Sequence, residues 1–158
     1  MPDVPRRIAA QFDRRATLAE AAAGIGPDWY RDPPQWMPVE GVELLPCGRC
    51  FDALQLPTFV GARVISRMLD RSGPVIEDQV AETLSWLVKP GAADGWEERV
   101  PGVAVLGAGR SLAVPPASWR CGPSTRWLRP ARGDCLTDPG ALYDALRHVL
   151  GLGRAGRA

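Results

Sequence analysis

Four groups of residues in this chain are of types and spacings that do chemistry. Cys47 and Cys50 flank a Gly-Arg pair, and with Cys121 and Cys135 they make up a possible four-thiolate zinc set. A zinc ribbon supplies its ligands as two Cys-x-x-Cys turns. The second pair here has thirteen residues between its members, so reduced cysteines in turns and loops account for all four, and neither zinc nor redox chemistry is expected. Gly107, Ala108, Gly109 and Arg110 form a Gly-x-Gly-Arg run whose backbone amides are candidates for cradling a phosphate, although a turn between strands explains the same glycines. Trp119 beside Arg120, then Arg126, Trp127, Leu128 and Arg129, with Arg132 close behind, set aromatic rings against guanidinium groups. Such pairs stack bases and grip a single-stranded backbone; the competing reading is a tryptophan anchored in the core with solvated arginines on either side. The single histidine, His148, falls near the end of a helix, where a cation complements the dipole, and no nucleophile with an orienting acid is placed beside it.

The elements that must position these groups read as follows. Residues 6–23 are rich in helix formers, with Ile8, Phe12, Ala16 and Ala19 at helical spacing. Residues 27–38 hold four prolines together with Trp29 and Trp36, a loop that its tryptophans pin to the body. Short strands are expected at 42–45 and 51–56, then a helix over 59–71 with Thr58 as its N-cap. Arg63, Arg67 and Arg71 form a basic stripe on that helix, read as a solvated face paired with acids such as Asp70. Strands follow at 75–76 and 83–88, then a helical piece ending near Trp96. A hairpin joins 103–106 to 111–114, a short strand lies at 127–128, and a last helix starts at Thr137, Asp138 and Pro139. Strands with helices at intervals, neither a clean βαβ series nor a meander, predict an α+β sheet with helices on one face.

Composition narrows the functional classes. The chain of 158 residues is 46% hydrophobic and 23% charged, with a formal net charge of +1, so bulk electrostatics do not announce a nucleic-acid binder. Lys89 is the only lysine, and an excess of Arg, Ala, Gly and Pro is what a GC-rich genome imposes. No apolar run approaches the ~20 residues of a membrane span. The expectation is a soluble cytoplasmic protein with an appendage over 1–41, a domain over 42–151 and a frayed tail over 152–158.

The runs GRCFDALQLPTFVGARVISRML, GPVIED, LSWLVKPGAADGW, GVAVLGAGRSLAVPP, RWLRP and LTDPGALYDAL occur in that order over residues 46–151. In order and spacing they resemble the small primase/polymerase (prim–pol) N-terminal domain proteins of actinomycete-type bacteria, members of the archaeo-eukaryotic primase superfamily. That resemblance implies an RRM-like mixed or antiparallel sheet with helices mainly on one face. It also implies a nucleotidyltransferase that works on two divalent cations, Mg²⁺ or Mn²⁺, held by an Asp-x-Asp on a strand, with a histidine on a later strand facing the triphosphate. Residues i and i+2 of a strand face one side, which is why that motif aims two carboxylates at one metal pair.

Here the aligned positions hold Gln55 and Pro57, the strand expected to offer the histidine reads Thr83, Leu84, Ser85, Trp86, Leu87, and no two acids in the chain stand at i and i+2. The resemblance therefore implies a prim–pol-like domain that is catalytically degenerate and serves as a platform for single-stranded DNA or a nucleotide. Two alternatives are a protein-interaction or regulatory module, marked by an apolar patch around Trp29 and Trp36, and an active polymerase. The latter requires Asp52, Glu77, Asp78 or Glu82 to converge on metal, with Glu77 and Asp78 on opposite faces of a strand.

Overall fold

The computed structural model describes residues 33–122, 124–131 and 135–152. The helix expected over 6–23, Trp29 and Arg132 lie outside these residues. The elements in chain order are β1 (Glu43–Pro46), β2 (Asp52–Pro57), α1 (Thr58–Met68) extended by a 3-10 turn (Leu69–Arg71), β3 (Val75–Asp78), β4 (Thr83–Val88), α2 (Trp96–Arg99), β5 (Ala104–Leu106), β6 (Ser111–Val114), β7 (Thr125–Arg129) and α3 (Pro139–Val149).

Five strands form one antiparallel sheet in the order β5-β2-β4-β3-β7. Within it, β2, α1, β3, β4, α2 and β5 follow the split βαβ arrangement, in which two central strands are flanked by the outer strand of each unit. β7 extends the sheet past β3. The α+β class and the helices on one face agree with the sequence pattern.

Alternation within the strands sorts the side chains into two cores. On one face Leu54, Leu56, Val75, Leu84, Trp86 and Val88 meet Val64 and Met68 of α1 and Leu142, Ala145, Leu146 and Val149 of α3. Trp86 is fully buried there and donates its ring N–H to Ser72 Oγ at 3.2 Å, so its polar end is satisfied. On the other face Ala53, Ile76, Leu87, Leu106 and Trp127 pack with Phe51 under Leu112 and Val114 of β6, Leu45 of β1, and Trp36 and Met37.

That second core depends on a feature the local pattern does not predict. β5 and β6 do not form a hairpin with each other. β5 pairs with β2, whereas β6 pairs with β1 in a separate two-stranded ribbon. Both chain segments leave the main sheet at one corner, where residues 107–110 pass beside residues 47–51. Cys47 N donates to Arg110 O at 2.9 Å, and a Cβ on Gly48 would stand 2.8 Å from Ala108 Cα. The β2/β5 ladder thus bends and continues as β1/β6, folding back over half of the helix-free face.

Two terminus readings also change. Thr58 is the first residue of α1, not its cap; Pro57 occupies that place without a side-chain bond, and Thr58 N donates to Glu82 O at 2.9 Å. The helical piece expected before Trp96 instead starts at it, because Gly91 and Gly95 take φ values of 83° and 79° that turn the chain there. α3 begins as its residues predict. Asp138 Oδ2 accepts from Ala141 N at 2.9 Å, and Pro139 opens the first turn.

Candidate nucleic-acid interface

The outer edge of β7 gathers most of the aromatic and guanidinium residues singled out in the sequence. Arg126 lies opposite Glu77 and Arg129 opposite Val75, with a bulge between the two pairs. Three residues apart, two strand side chains ordinarily face opposite sides; the bulge restores them to the same side. Arg126 Nε donates to Glu77 Oε1 at 2.7 Å. The segment carrying Trp119 and Arg120 is stitched to the outer edge: Trp127 N donates to Trp119 O at 2.8 Å and Arg120 Nε donates to Trp127 O at 3.1 Å.

Three guanidinium groups therefore meet at one edge. Partial burial, then the charges of Arg129 and Arg126, pull the Arg120 pKa down to about 10, with Cys121 opposing. Burial also lowers that of Arg129, against the field of Asp70. Arg129 Nη1 is buried without a hydrogen-bond partner. Guanidinium groups gathered at one edge make a local concentration of positive charge, of the kind that attracts an oxyanion.

The two tryptophans divide. Trp119 is 38% exposed and is joined to β7 through its backbone carbonyl, next in sequence to Arg120. Trp127 is 1% exposed; its Nε1 donates to Pro115 O at 2.9 Å and its ring lies 6.4 Å from that of Trp36. It anchors the β1/β6 ribbon to the sheet and presents no ring for stacking. Trp36 also packs edge-on against Phe51 at 5.0 Å, so on the described residues it belongs to the core, not to an apolar surface patch.

The Gly107, Gly109 and Arg110 run forms the corner where the chain changes sheets. The turn closes on itself, Arg110 N donating to Gly107 O at 3.0 Å. Asp52 Oδ2 lies 3.6 Å from where a Gly107 Cβ would stand, so an anion approaching there meets a carboxylate. Asp52 is itself 2% exposed, with Oδ2 accepting from Gly91 N at 2.8 Å and Oδ1 buried without a partner. Beside it, burial and then the Asp52 charge push the Cys47 thiol up to about 11, the Ala53 backbone hydrogen bond and Arg110 opposing. A thiol held protonated is a poor nucleophile. Cys50, Cys121 and Cys135 are exposed, and among the described residues no three His, Cys, Asp or Glu side chains are placed to hold a metal ion.

The four acids named for a metal site do not converge. Asp52 pairs with Val88 and Asp78 with Thr83, at opposite ends of β4 and so about 16 Å apart along the strand. Glu77 is engaged by Arg126, Asp78 Oδ1 accepts from Val80 N and Ala81 N at 3.0 Å, and Glu82 sits in the following turn. Gln55 lies opposite Ser85, on the face away from the helices. His148 is exposed near the end of α3. Arg63, Arg67 and Arg71 are exposed too, and among the described residues none forms an ion pair with Asp70.

Sequence reasoning missed the Glu77–Arg126 pair and the buried Asp52, because a cross-strand neighbour has no local signature. No helix among the described residues is long and apolar enough to cross a membrane. Comparison of the chain with family models, with curated proteins and with solved structures returns no match.

Proposed function

We propose that this chain is a prim–pol-like domain that has lost the polymerase metal site and binds single-stranded DNA or a nucleotide at the β7 edge, in the cytoplasm. The observation that carries this reading is the meeting of Arg120, Arg126 and Arg129 in the segment of the exposed Trp119, with Arg126 paired to Glu77. Guanidinium forks bind phosphate oxygens, and one accessible ring stacks one base. The split βαβ strand order is consistent with the RRM-like core of the resemblance, which aligns Gln55 and Pro57 with the metal-binding acids of the family.

The test is fluorescence anisotropy of labelled single-stranded DNA, titrated at low and near-physiological salt, with and without Mn²⁺ and dNTPs. Saturable binding that weakens steeply with salt and disappears in Arg120→Ala/Arg129→Ala supports the reading. Binding altered by metal and dNTP together reopens polymerase activity. Absence of binding at either salt sinks the nucleic-acid reading in favour of an interaction module, for which the exposed Phe59, Leu69 and Val80 are the favouring observation.

A further inference from the structure

α1 has an exposed apolar residue at each end, Phe59 at 75% and Leu69 at 63%. Beside Phe59 an open groove of about 610 Å³ runs between α1 and the β3–β4 turn, lined by Pro57, Phe59, Ala62, Ala81 and Glu82 among others. Val80, 79% exposed, stands in the same turn. Leu69 is held at φ 54° and ψ −126°, a conformation that an L-residue with a side chain adopts only under strain. Leu69 N donating to Ile65 O and Ser72 N donating to Leu69 O hold that backbone, which keeps the Leu69 side chain largely in solvent.

The charges along α1 are arranged head to tail. Glu82 lies level with the first residue, since its carbonyl accepts from Thr58 N. Arg71 follows Leu69 at the far end, and both Glu82 and Arg71 are exposed with no ion pair among the described residues. Between them the outward positions Ala62 and Ser66 are small. Ser66 Oγ donates to its own helix at Ala62 O, 3.0 Å away, so it brings no unsatisfied hydroxyl to a contact.

We propose that this face binds a second copy of the chain, with the two α1 helices antiparallel about a two-fold axis passing between Ala62 and Ser66. A two-fold contact requires a surface complementary to itself, each residue meeting its counterpart's opposite. Phe59 and Leu69 are about 15 Å apart along the helix, equidistant from that axis. Each Leu69 then enters the groove beside the partner's Phe59, each Ala62 faces the partner's Ser66, and each Glu82 meets the partner's Arg71. The Arg63 side chains of the two copies flank the axis and repel. A contact built on one helix face and one groove, with two arginines opposed at its axis, is expected to be weak, so association is sought over a wide range of concentration.

Sedimentation velocity from the low-micromolar to the millimolar range reads this directly. The wild type is expected to pass from monomer to dimer. Leu69→Gly is expected to stay monomeric while melting higher than the wild-type monomer, because glycine relieves the backbone. Arg71→Glu and Glu82→Arg are each expected to stay monomeric, and the double variant to associate again. A wild type that remains monomeric throughout, a dimer that survives Leu69→Gly and Arg71→Glu, or a double variant that fails to re-associate overturns the proposal.

Discussion

Arg129→Met separates a binding role for the β7 edge from a structural one, because the two roles predict opposite changes in stability. Methionine keeps most of the apolar stem that Arg129 lays on the sheet and removes the guanidinium. A buried donor left without a partner costs about 1–3 kcal/mol, more when charged. The rest of the Arg129 head is only partly buried and lies in the field of Asp70, so the low end applies, about 1 kcal/mol after screening. For a chain of 158 residues that is a rise in Tm of about 3 °C. Single-stranded DNA binding should fall at the same time, and the slope of log K against log salt should flatten by about 0.7 for each phosphate that is no longer bound. Thermal melts and salt-series anisotropy on the same preparation measure both. A variant that melts lower than wild type and binds DNA with an unchanged salt slope would refute the reasoning, because Arg129 would then be a satisfied structural residue.

Three further outcomes follow from the packing. Gly73→Ala should cost about 2 kcal/mol or more by chemical denaturation, since a Cβ there would stand 2.7 Å from both the Cα and the backbone nitrogen of Thr137, and backbone does not yield cheaply. Trp127→Phe should cost about 2–3 kcal/mol, combining removal of the hydrogen bond to Pro115 O with the void left by the smaller ring, yet leave the salt slope of DNA binding unchanged, because the ring is buried. At pH 8 a thiol reagent should modify Cys50, Cys121 and Cys135 and spare Cys47. As pH climbs from 9.0 toward 11 the unfolded Cys47 ionises before the folded one, so its contribution to stability is full below 9.0 and declines across that window; the alkaline loss should be smaller in Cys47→Ala.

What the sequence reveals depends on the range of the forces involved. β2, β4, α1 and α3 are legible because alternation at Leu54 and Leu56, helical spacing at Val64 and Met68, and the Asp138–Pro139 start are written within a few residues. The partner of a strand is not local information. Two short strands around a Gly-x-Gly turn satisfy every hairpin rule, and yet β5 and β6 separate, because their better partners are β2 and β1. The same limit applies to the site. Trp119, Arg120, Arg126 and Arg129 stand out by type. Their convergence rests on a bulge opposite β3 and on the stitching of residues 119–120 to β7, neither of which composition encodes. Trp127 is ambiguous by type, and only its place beneath the β1/β6 ribbon assigns it to the core.

The ribbon also restricts where the proposed ligand could bind. An RRM-like sheet binds bases on the outward side chains of its central strands, where aromatic rings stack them. On this sheet those positions are Ala53, Gln55 and Pro57 of β2 and Thr83, Ser85 and Leu87 of β4, with no ring among them. Ala53 and Leu87 are fully buried in the core shared with β6 and Trp36. The bend at residues 47–51 and 107–110 thus commits the half of the face nearest the corner to a second hydrophobic core. Ser85 is buried as well, which leaves Gln55, Pro57 and Thr83 partly exposed at the other end. A base docked there would lose water without gaining a stacking partner. The β7 edge is the reverse case: its backbone is already paired to residues 119–120, its guanidinium groups repel one another, and an oxyanion relieves that repulsion. Exposed Trp119 lies at that edge and not on the sheet face, so the place with charge to neutralise and the place with a ring to stack are the same.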